Sequence, residues 1–472
     1  MRAIKVQTKK EFGLWKPLAI CVSPVLTGIQ TLWRRSLQIA IPITGTRGDV
    51  QPYVALGKGL QSAGHYIRIV THNDFAGLID HEGLGFAPMG GDARTLHSER
   101  AVRKLMHAGE NPFTYLREFA RLRAPIMTKL MADCLASCRD ADLILITPTA
   151  PLIAISVAEK LHIPVCATAY LPNCPSRHLA SCFVPELPSW VPGRSVYNVC
   201  SSAVIAAYLW HLLRYAINRA RREALDLPAY GFFGPPIRWL RQIPTLHGYS
   251  SHIVARPSDW PENQYLTGFW FLENKNWRPP PALESFLNAG PPPVYVGFGS
   301  MQNQNAASFT QIVTQALKRA GLRGVLATGW GALSKVKNSD QIFAIDDVPH
   351  DWLFPRVAAA VHHGGVGTTA AGLRAGVPSL LVPFFGDQFF WGRRVFELGA
   401  APRAIPRHEL TSERLADALR TCVRSRSLIA RARSLGEAIR SEDGIARAVD
   451  AIEGIVGRFE RRRHLHAAGY SS

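Results

Sequence analysis

Apolar and polar positions follow two periods along this chain. A short apolar run, SLQIAIPIT (36–44), passes through the polar GTRGDVQP into YVALGKGLQSAGH, where apolar residues recur at helical spacing. A second run, YIRIVTH (66–72), follows. This strand–loop–helix–strand unit predicts the opening of a parallel, doubly wound sheet. DLILITP (142–148) and PVCATAY (164–170) read as two more buried strands, separated by the helical LIAISVAEKL. Residues 172–192 are rich in Pro, Ser and Cys and read as a long loop.

The segment SSAVIAAYLWHLLRYAINRARREALDLP (201–228) is apolar on nearly every face at its start and carries Arg214, Arg219, Arg221 and Arg222 further on. So short an apolar stretch does not cross a bilayer. It reads as a core helix, the alternative being a helix that lines a greasy cleft or lies on a lipid surface.

A second β/α series begins near residue 252. PPPVYVGFGS (291–300) is a strand ending in a glycine loop, followed by the helix ASFTQIVTQALKRAG and the strand GVLATG. VAAAVHHGGVGTT and VPSLLVPFFGDQ supply two more exits from strand to loop, and the last stretch is helical, ending in RFERRRH. The expected fold class is α/β, with two parallel-sheet domains. Their expected limits are a leader over 1–37, a first domain over 38–250, a second over 251–445, and a C-terminal helix and basic tail over 446–472. Ligands of such sheets sit at the carboxyl ends of strands, where every glycine-rich motif of this chain falls.

Composition changes this picture little. The chain has 472 residues, 47% hydrophobic and 19% charged, enough for two cores and too apolar for general disorder. A net charge of +19 admits nucleic acid, anionic membranes and anionic small molecules as partners. No RNA-binding signature, zinc-finger spacing or aromatic–basic interleaving accompanies it, so nucleic acid is not an expected partner. The eight cysteines complete no zinc set and read as free thiols of a cytoplasmic protein. Residues 1–37 are basic and then moderately apolar, interrupted by two prolines, and read as a leader outside the fold or a peripheral anchor.

HHGGVGTTAAG (362–372) leaves a strand and opens a helix. The first N–H groups of a helix lack internal partners, its dipole favours an anion there, and glycines let a phosphate approach the backbone. The stretch reads as a diphosphate cradle with His363 as an additional donor. In PFFGDQFFWG (383–392), Asp387 and Gln388 are adjacent polar groups suited to vicinal sugar hydroxyls.

GTRGDVQPYVALG (45–57), RPSDWPENQYLTGFWFL (256–272), YVGFGSM (295–301), VPHDWLF (348–354) and HHGGVGTTAAGLRAGVPSLLVPFFGDQFFWG (362–392) resemble the inverting nucleotide-sugar glycosyltransferases of the GT-B fold. Within these, the chain is most similar to the sterol 3-β-glucosyltransferase group, over about 38–440. The resemblance implies two Rossmann-like domains facing a central cleft and UDP-glucose as donor, held by the C-terminal domain. It implies His363 on the diphosphate with Gly365, Gly367, Thr368 and Thr369, and Ser300 beside the phosphates. Trp330, Val348 and His350 would lie by the uracil, and Asp387 and Gln388 on the glucose. The N-terminal loop Gly45, Thr46, Arg47 and Gly48 would lie near the phosphates. Ala371 stands where plant members carry a ribose-binding Glu.

Many relatives carry Gly-His-x-x-Pro after the first strand, the His being the base. Here GDVQP puts Asp49 in that role, unless Asp49 only caps the helix. Asp140-Ala141-Asp142 has the D-x-D form of metal-dependent transferases but precedes a strand, at the end away from the ligand edge. No metal or other cofactor is expected. The expected reaction moves glucose to a hydroxyl of a lipophilic acceptor such as a sterol or terpenoid. The alternatives are a nucleotide-sugar epimerase of the same fold and a catalytically silent lipid- or sterol-binding protein. Reversible contact with an anionic membrane surface, through Arg219, Arg221 and Arg222 and the end at Arg461, Arg462 and Arg463, is also expected.

Overall fold

The computed structural model describes residues 36–90, 109, 111–235, 242–274, 276–299, 301, 305–329 and 332–467. Among these, seven parallel strands form the first sheet: β1 (Gln38–Pro42), β2 (Tyr66–Thr71), β3 (Gly85–Pro88), β4 (Leu143–Ile146), β5 (Val165–Ala169), β6 (Thr245–His247) and β7 (Gln264–Leu266). Their spatial order is β3-β2-β1-β4-β5-β6-β7. The second sheet holds β8 (Val294–Gly297), β9 (Gly324–Ala327), β10 (Ile342–Ile345), β11 (Ala359–His362) and β12 (Ser379–Leu381), in the order β10-β9-β8-β11-β12. Each sheet reverses direction once, between β1 and β4 in the first and between β8 and β11 in the second. A crevice opens at such a switch point, outside the strands' carboxyl ends.

The crossover helices of the first sheet are α1 (Arg47–Ser62), α2 (Ala76–His81), α3 (Pro112–Arg123), α4 (Met127–Ser137), α5 (Pro151–Leu161) and α6 (Arg194–Leu225). Those of the second are α7 (Pro281–Asn288), α8 (Ala306–Ala320), α9 (His350–Leu353), α10 (Val366–Ala375), α11 (Gln388–Glu397), α12 (Ser412–Arg424) and α13 (Arg426–Arg440). Strands buried on both faces, such as the fully buried LILI of β4, carry unbroken apolar runs because helices cover each side.

Three boundaries differ from the sequence expectation. The fold begins at Leu37, which is buried in the first core; the rest of the expected leader, 1–35, lies outside the described residues. The first sheet runs past residue 250 to Leu266, because β6 and β7 are three-residue strands too short to show a period. The third is α14 (Gly444–Ala467), which is no appended tail: Ala448, Val449, Ile452 and Ile455 join the buried cluster of Val50, Tyr53 and Val54 from α1. The final helix therefore completes the core of the first domain. The cysteines of the described residues are free thiols, as the sequence indicated.

Candidate active site

The loop between β1 and α1 is built around one carboxylate. Asp49 stands in the first turn of α1, and its Oδ2 accepts the Thr46 N–H at 2.7 Å and the Thr46 hydroxyl at 3.0 Å. The Tyr170 hydroxyl donates to the Asp49 carbonyl at 2.8 Å, tying the turn to the end of β5. Gly45 sits at φ +135°, and a side chain there would put its Cβ 2.3 Å from Asp49 Oδ2. The loop is glycine because the carboxylate folds back over it. Capping and chemistry are thus compatible: the contact that satisfies the helix end also fixes the carboxylate's direction.

Around Asp49 lie groups that the sequence reading did not single out. Arg123, at the end of α3, donates to the Thr44 hydroxyl and to the Thr149 carbonyl, and stands 4.9 Å above the Phe119 ring. Loss of hydration lowers the Arg123 pKa, and the Asp49 carboxylate pushes it back up. Tyr115, two turns earlier on α3, stacks against Phe119, Phe183 and Phe385 at 6.3, 6.1 and 5.4 Å. Phe385 belongs to the second domain, so this aromatic stack bridges the cleft. Burial holds the Tyr115 hydroxyl neutral, reinforced by the charges of Asp387 and Asp49.

A signal for Arg123 existed. Arg123 follows the buried Leu116 by seven residues and the buried Ala120 by three, so helical spacing places it on the inward face of α3.

On the other side, β11 ends in the two histidines. His362 is wholly buried, and its Nδ1 accepts the Gly364 N–H at 3.1 Å. His363 lies against the N-terminus of α10. A Cβ on Gly365 would come 2.4 Å from His363 Nε2, so only glycine lets the backbone lie flat on this ring. His363 Nδ1 is buried with no hydrogen-bond partner among the described residues. Desolvation lowers the His363 pKa to about 4, so the ring is neutral at pH 7 and can serve as a hydrogen-bond donor, not as a cation.

The remaining expected donor residues are arranged less uniformly. Gly367 is exposed and Thr368 half-buried, while the Thr369 hydroxyl donates back to the Gly365 carbonyl at 2.9 Å. Gln388 Oε1 accepts the N–H groups of Phe384 and Phe385 at 2.7 and 3.3 Å, and its Nε2 faces the Met301 sulfur at 3.8 Å. The amide thus shapes the loop that carries Asp387. Burial raises the Asp387 pKa to about 6, and the Asp49 charge adds to the shift. His350 stacks on Phe354 at 4.4 Å, shares a hydrogen bond with the Tyr295 hydroxyl at 3.2 Å and is held neutral by desolvation, its pKa lowered to about 4. Val348 packs in the same core as Leu353 and Phe354. Ser300 and Trp330 lie outside the described residues. Arg47 of the N-terminal loop reaches Asp347 of the second domain at 2.7 Å.

The D-x-D pair is engaged in structure. Asp140 pairs with Arg68, and Asp142 Oδ2 accepts the Gln38 N–H at 2.9 Å, at the amino end of β1 and away from the cleft.

Residues 39–179 match the glycosyltransferase family 28 N-terminal domain, and residues 327–453 match the erythromycin biosynthesis protein CIII-like C-terminal domain. Over 425 residues, 88% of this chain and 67% of the relative, the sequence is 36% identical to sterol 3-beta-glucosyltransferase UGT80B1 of Arabidopsis thaliana. The chain belongs to the sterol 3-beta-glucosyltransferase family. A second member of this family in that plant, UGT80A2, is 36% identical over 443 residues, covering 92% of this chain and 68% of its own. The structure of CalG4, the calicheamicin glycosyltransferase, superposes with a TM-score of 0.63 at 17% identity, covering 90% of this chain and 99% of that one. The fold is therefore GT-B, as the family resemblance implied.

Proposed function

We propose that this glycosyltransferase moves glucose from UDP-glucose, with inversion, to a hydroxyl of a sterol or a related lipophilic acceptor. The observation that carries this reading is the stacking of Tyr115 of the first domain on Phe385 of the second at 5.4 Å, which sets the Asp387 loop against the helix whose Arg123 holds Thr44, just ahead of the Asp49 loop. The charges of Asp49 and Asp387 both raise the Tyr115 pKa there. The 36% identity to a sterol 3-beta-glucosyltransferase supports the choice of acceptor.

In this reading Asp49 takes the proton of the acceptor hydroxyl while its oxygen attacks the anomeric carbon from the face opposite UDP. The bond from that carbon to the diphosphate oxygen breaks, and UDP leaves with the electron pair. A carboxylic acid with an ordinary pKa near ~4 is far more acidic than an alcohol, so proton transfer comes late, once the new bond has acidified the oxygen. Most of the barrier must then fall through alignment and through stabilising the departing charge. The unpartnered Nδ1 of His363 and the first N–H groups of α10 suit that charge. Asp387 suits the glucose hydroxyls, a donated hydrogen bond favouring its ionised form. The site needs no metal in this scheme, and the protein is assigned to the cytoplasm.

The test is a panel of sterols, terpenoids, hydroxy fatty acids and flavonoids with UDP-glucose and, separately, dTDP-glucose. UDP release that depends on a sterol, with a β-glucoside identified by NMR, supports the reading. An epimerised nucleotide sugar formed without acceptor would replace it.

A further inference from the structure

The sequence marked this segment as too short an apolar stretch to cross a bilayer. The helix it forms, α6, begins at Arg194 and is long and apolar enough to span one by length and composition, yet it lies along the first domain. Trp210, Leu213 and Ile217 pack in the core against α4. Arg221, expected on a membrane-facing surface, is instead wholly buried, its guanidinium paired with Glu159 at 2.9 Å and lying over Tyr230. Of the charge set assigned to lipid from the sequence, the fold therefore presents Arg219 and Arg222 but withdraws Arg221.

What the fold does present is the outward face of the first half of α6. Val196, Val199, Val204, Ala206 and Ala207 are exposed there. At its two ends large aromatic side chains stand out into solvent: Trp190 just before the helix, 80% exposed, and Phe233 beyond it, 86% exposed. Phe232 joins Phe233 to the helix by packing on His211 at 4.8 Å and under the Arg214 guanidinium at 5.1 Å. From Arg194 to Arg222 the sequence contains five arginines and no acidic residue; the first is Glu223, which pairs with Arg219.

We propose that this face is a docking surface for an anionic lipid bilayer. An apolar strip flanked by solvent-exposed aromatics and cations, with no acid along its length, has the composition of an interfacial helix. The charges that flank the strip itself, Arg194 and Arg214, are both cationic, which matches phospholipid headgroups. The surface is also continuous with the cleft. The Ser181 N–H donates to Ser201 of α6 at 2.9 Å, and Phe183, two residues on, stacks on Tyr115. The Phe113 ring of α3 meets Tyr208 of α6 at 5.0 Å, two residues before Tyr115. Docking there seats the acceptor side of the cleft against the bilayer. The proposal does not rest on which sugar or hydroxyl reacts, because vesicle binding is read without turnover.

The test is co-sedimentation of the full chain with vesicles of phosphatidylcholine alone and of phosphatidylcholine with 30% phosphatidylglycerol. The wild type is expected to bind the anionic vesicles at least about tenfold more tightly than the neutral ones, and to be released by 0.5 M NaCl. The exposed-site variant Val196→Glu/Val204→Glu/Phe233→Ser is expected to lose this binding about tenfold or more while keeping its melting temperature and its affinity for UDP. Arg219→Gln/Arg222→Gln is expected to weaken binding to anionic vesicles only. Equal sedimentation with both vesicle types, or unchanged binding by the triple variant, overturns the proposal. Self-association in the absence of lipid that the triple variant abolishes overturns it too, and assigns the face to a second copy of the chain.

Discussion

Arg47 and Asp347 meet at 2.7 Å, one on the first turn of α1 and the other in the loop ahead of α9. Both side chains are largely open to solvent, so the pair contributes at most about 1 kcal/mol and weakens with salt. A pair this weak links the two domains without locking them. Asp347→Asn is expected to shift Tm by no more than about 2 °C and to flatten the dependence of kcat on ionic strength. Unfolding of the variant at 25 °C would show that the pair holds the domains together.

Asp49→Asn separates the proposed base role of Asp49 from its helix cap. The amide oxygen can still accept from Thr46, so the helix start is kept while the base is lost. Turnover is expected to fall about 10²- to 10⁴-fold with UDP affinity within a factor of about two, since the donor loops belong to the other domain. Turnover above about a third of wild type would leave Asp49 as a cap alone.

His363→Ala is expected to weaken UDP binding and to slow turnover together, because charge on the diphosphate grows as the sugar leaves. With its pKa lowered to about 4, His363 enters the proposed scheme as a neutral donor. UDP affinity measured by calorimetry should therefore show no His363-dependent rise between pH 7.5 and 5.5. A rise that disappears in the variant would show an imidazolium at the phosphates.

Stability should fall on mild acidification. His247, His350 and His363 are held to about 4 by burial, and burial likewise holds His362 well below its ordinary value. Unfolded, each has a pKa of 6.5, so between pH 6.5 and 4 the unfolded chain binds more protons and acid favours it. Asp387 acts oppositely: raised to about 6, it binds a proton in the folded state over much of the same range. Four groups oppose one, and each unbalanced proton is worth about 1.4 kcal/mol per pH unit. Urea midpoints at pH 7.0, 6.0 and 5.0 are expected to decrease in that order, and a rise would contradict the assignment of neutral histidines.

Treatment with EDTA is expected to leave turnover within about 20% of the untreated enzyme, because the scheme gives the leaving diphosphate to His363 and the α10 N–H groups. Activity lost to EDTA and restored by Mg²⁺ or Mn²⁺ would place a metal in the reaction.

The two sheets were legible because buried strands such as β1 and β4 write unbroken apolar runs into the sequence. The strands β6 and β7 were not, since three residues carry no period and Thr245, His247 and Gln264 are polar groups buried by their neighbours. Glycines marked both loops of the site, as the Gly45–Asp49 and Gly365–His363 contacts explain. Sequence could not say that the Gln388 amide is engaged by Phe384 and Phe385, because that depends on where the loop places their N–H groups. Nor could it remove Arg221 from the surface: its partner Glu159 is brought to it by the packing of α5 on α6.

The return of α14 to the first domain has a consequence for how the protein is made. The core around Val50, Tyr53 and Val54 is closed by Ile452 and Ile455, which leave the ribosome only after the whole second sheet has been synthesised. Until then α1 carries an uncovered apolar face on a nascent chain, and the second domain, whose elements are contiguous, is free to fold ahead of the first. The usual order, N-terminal domain first, is thereby expected to lapse here, and chaperone demand should peak on the half of the protein that is translated earliest.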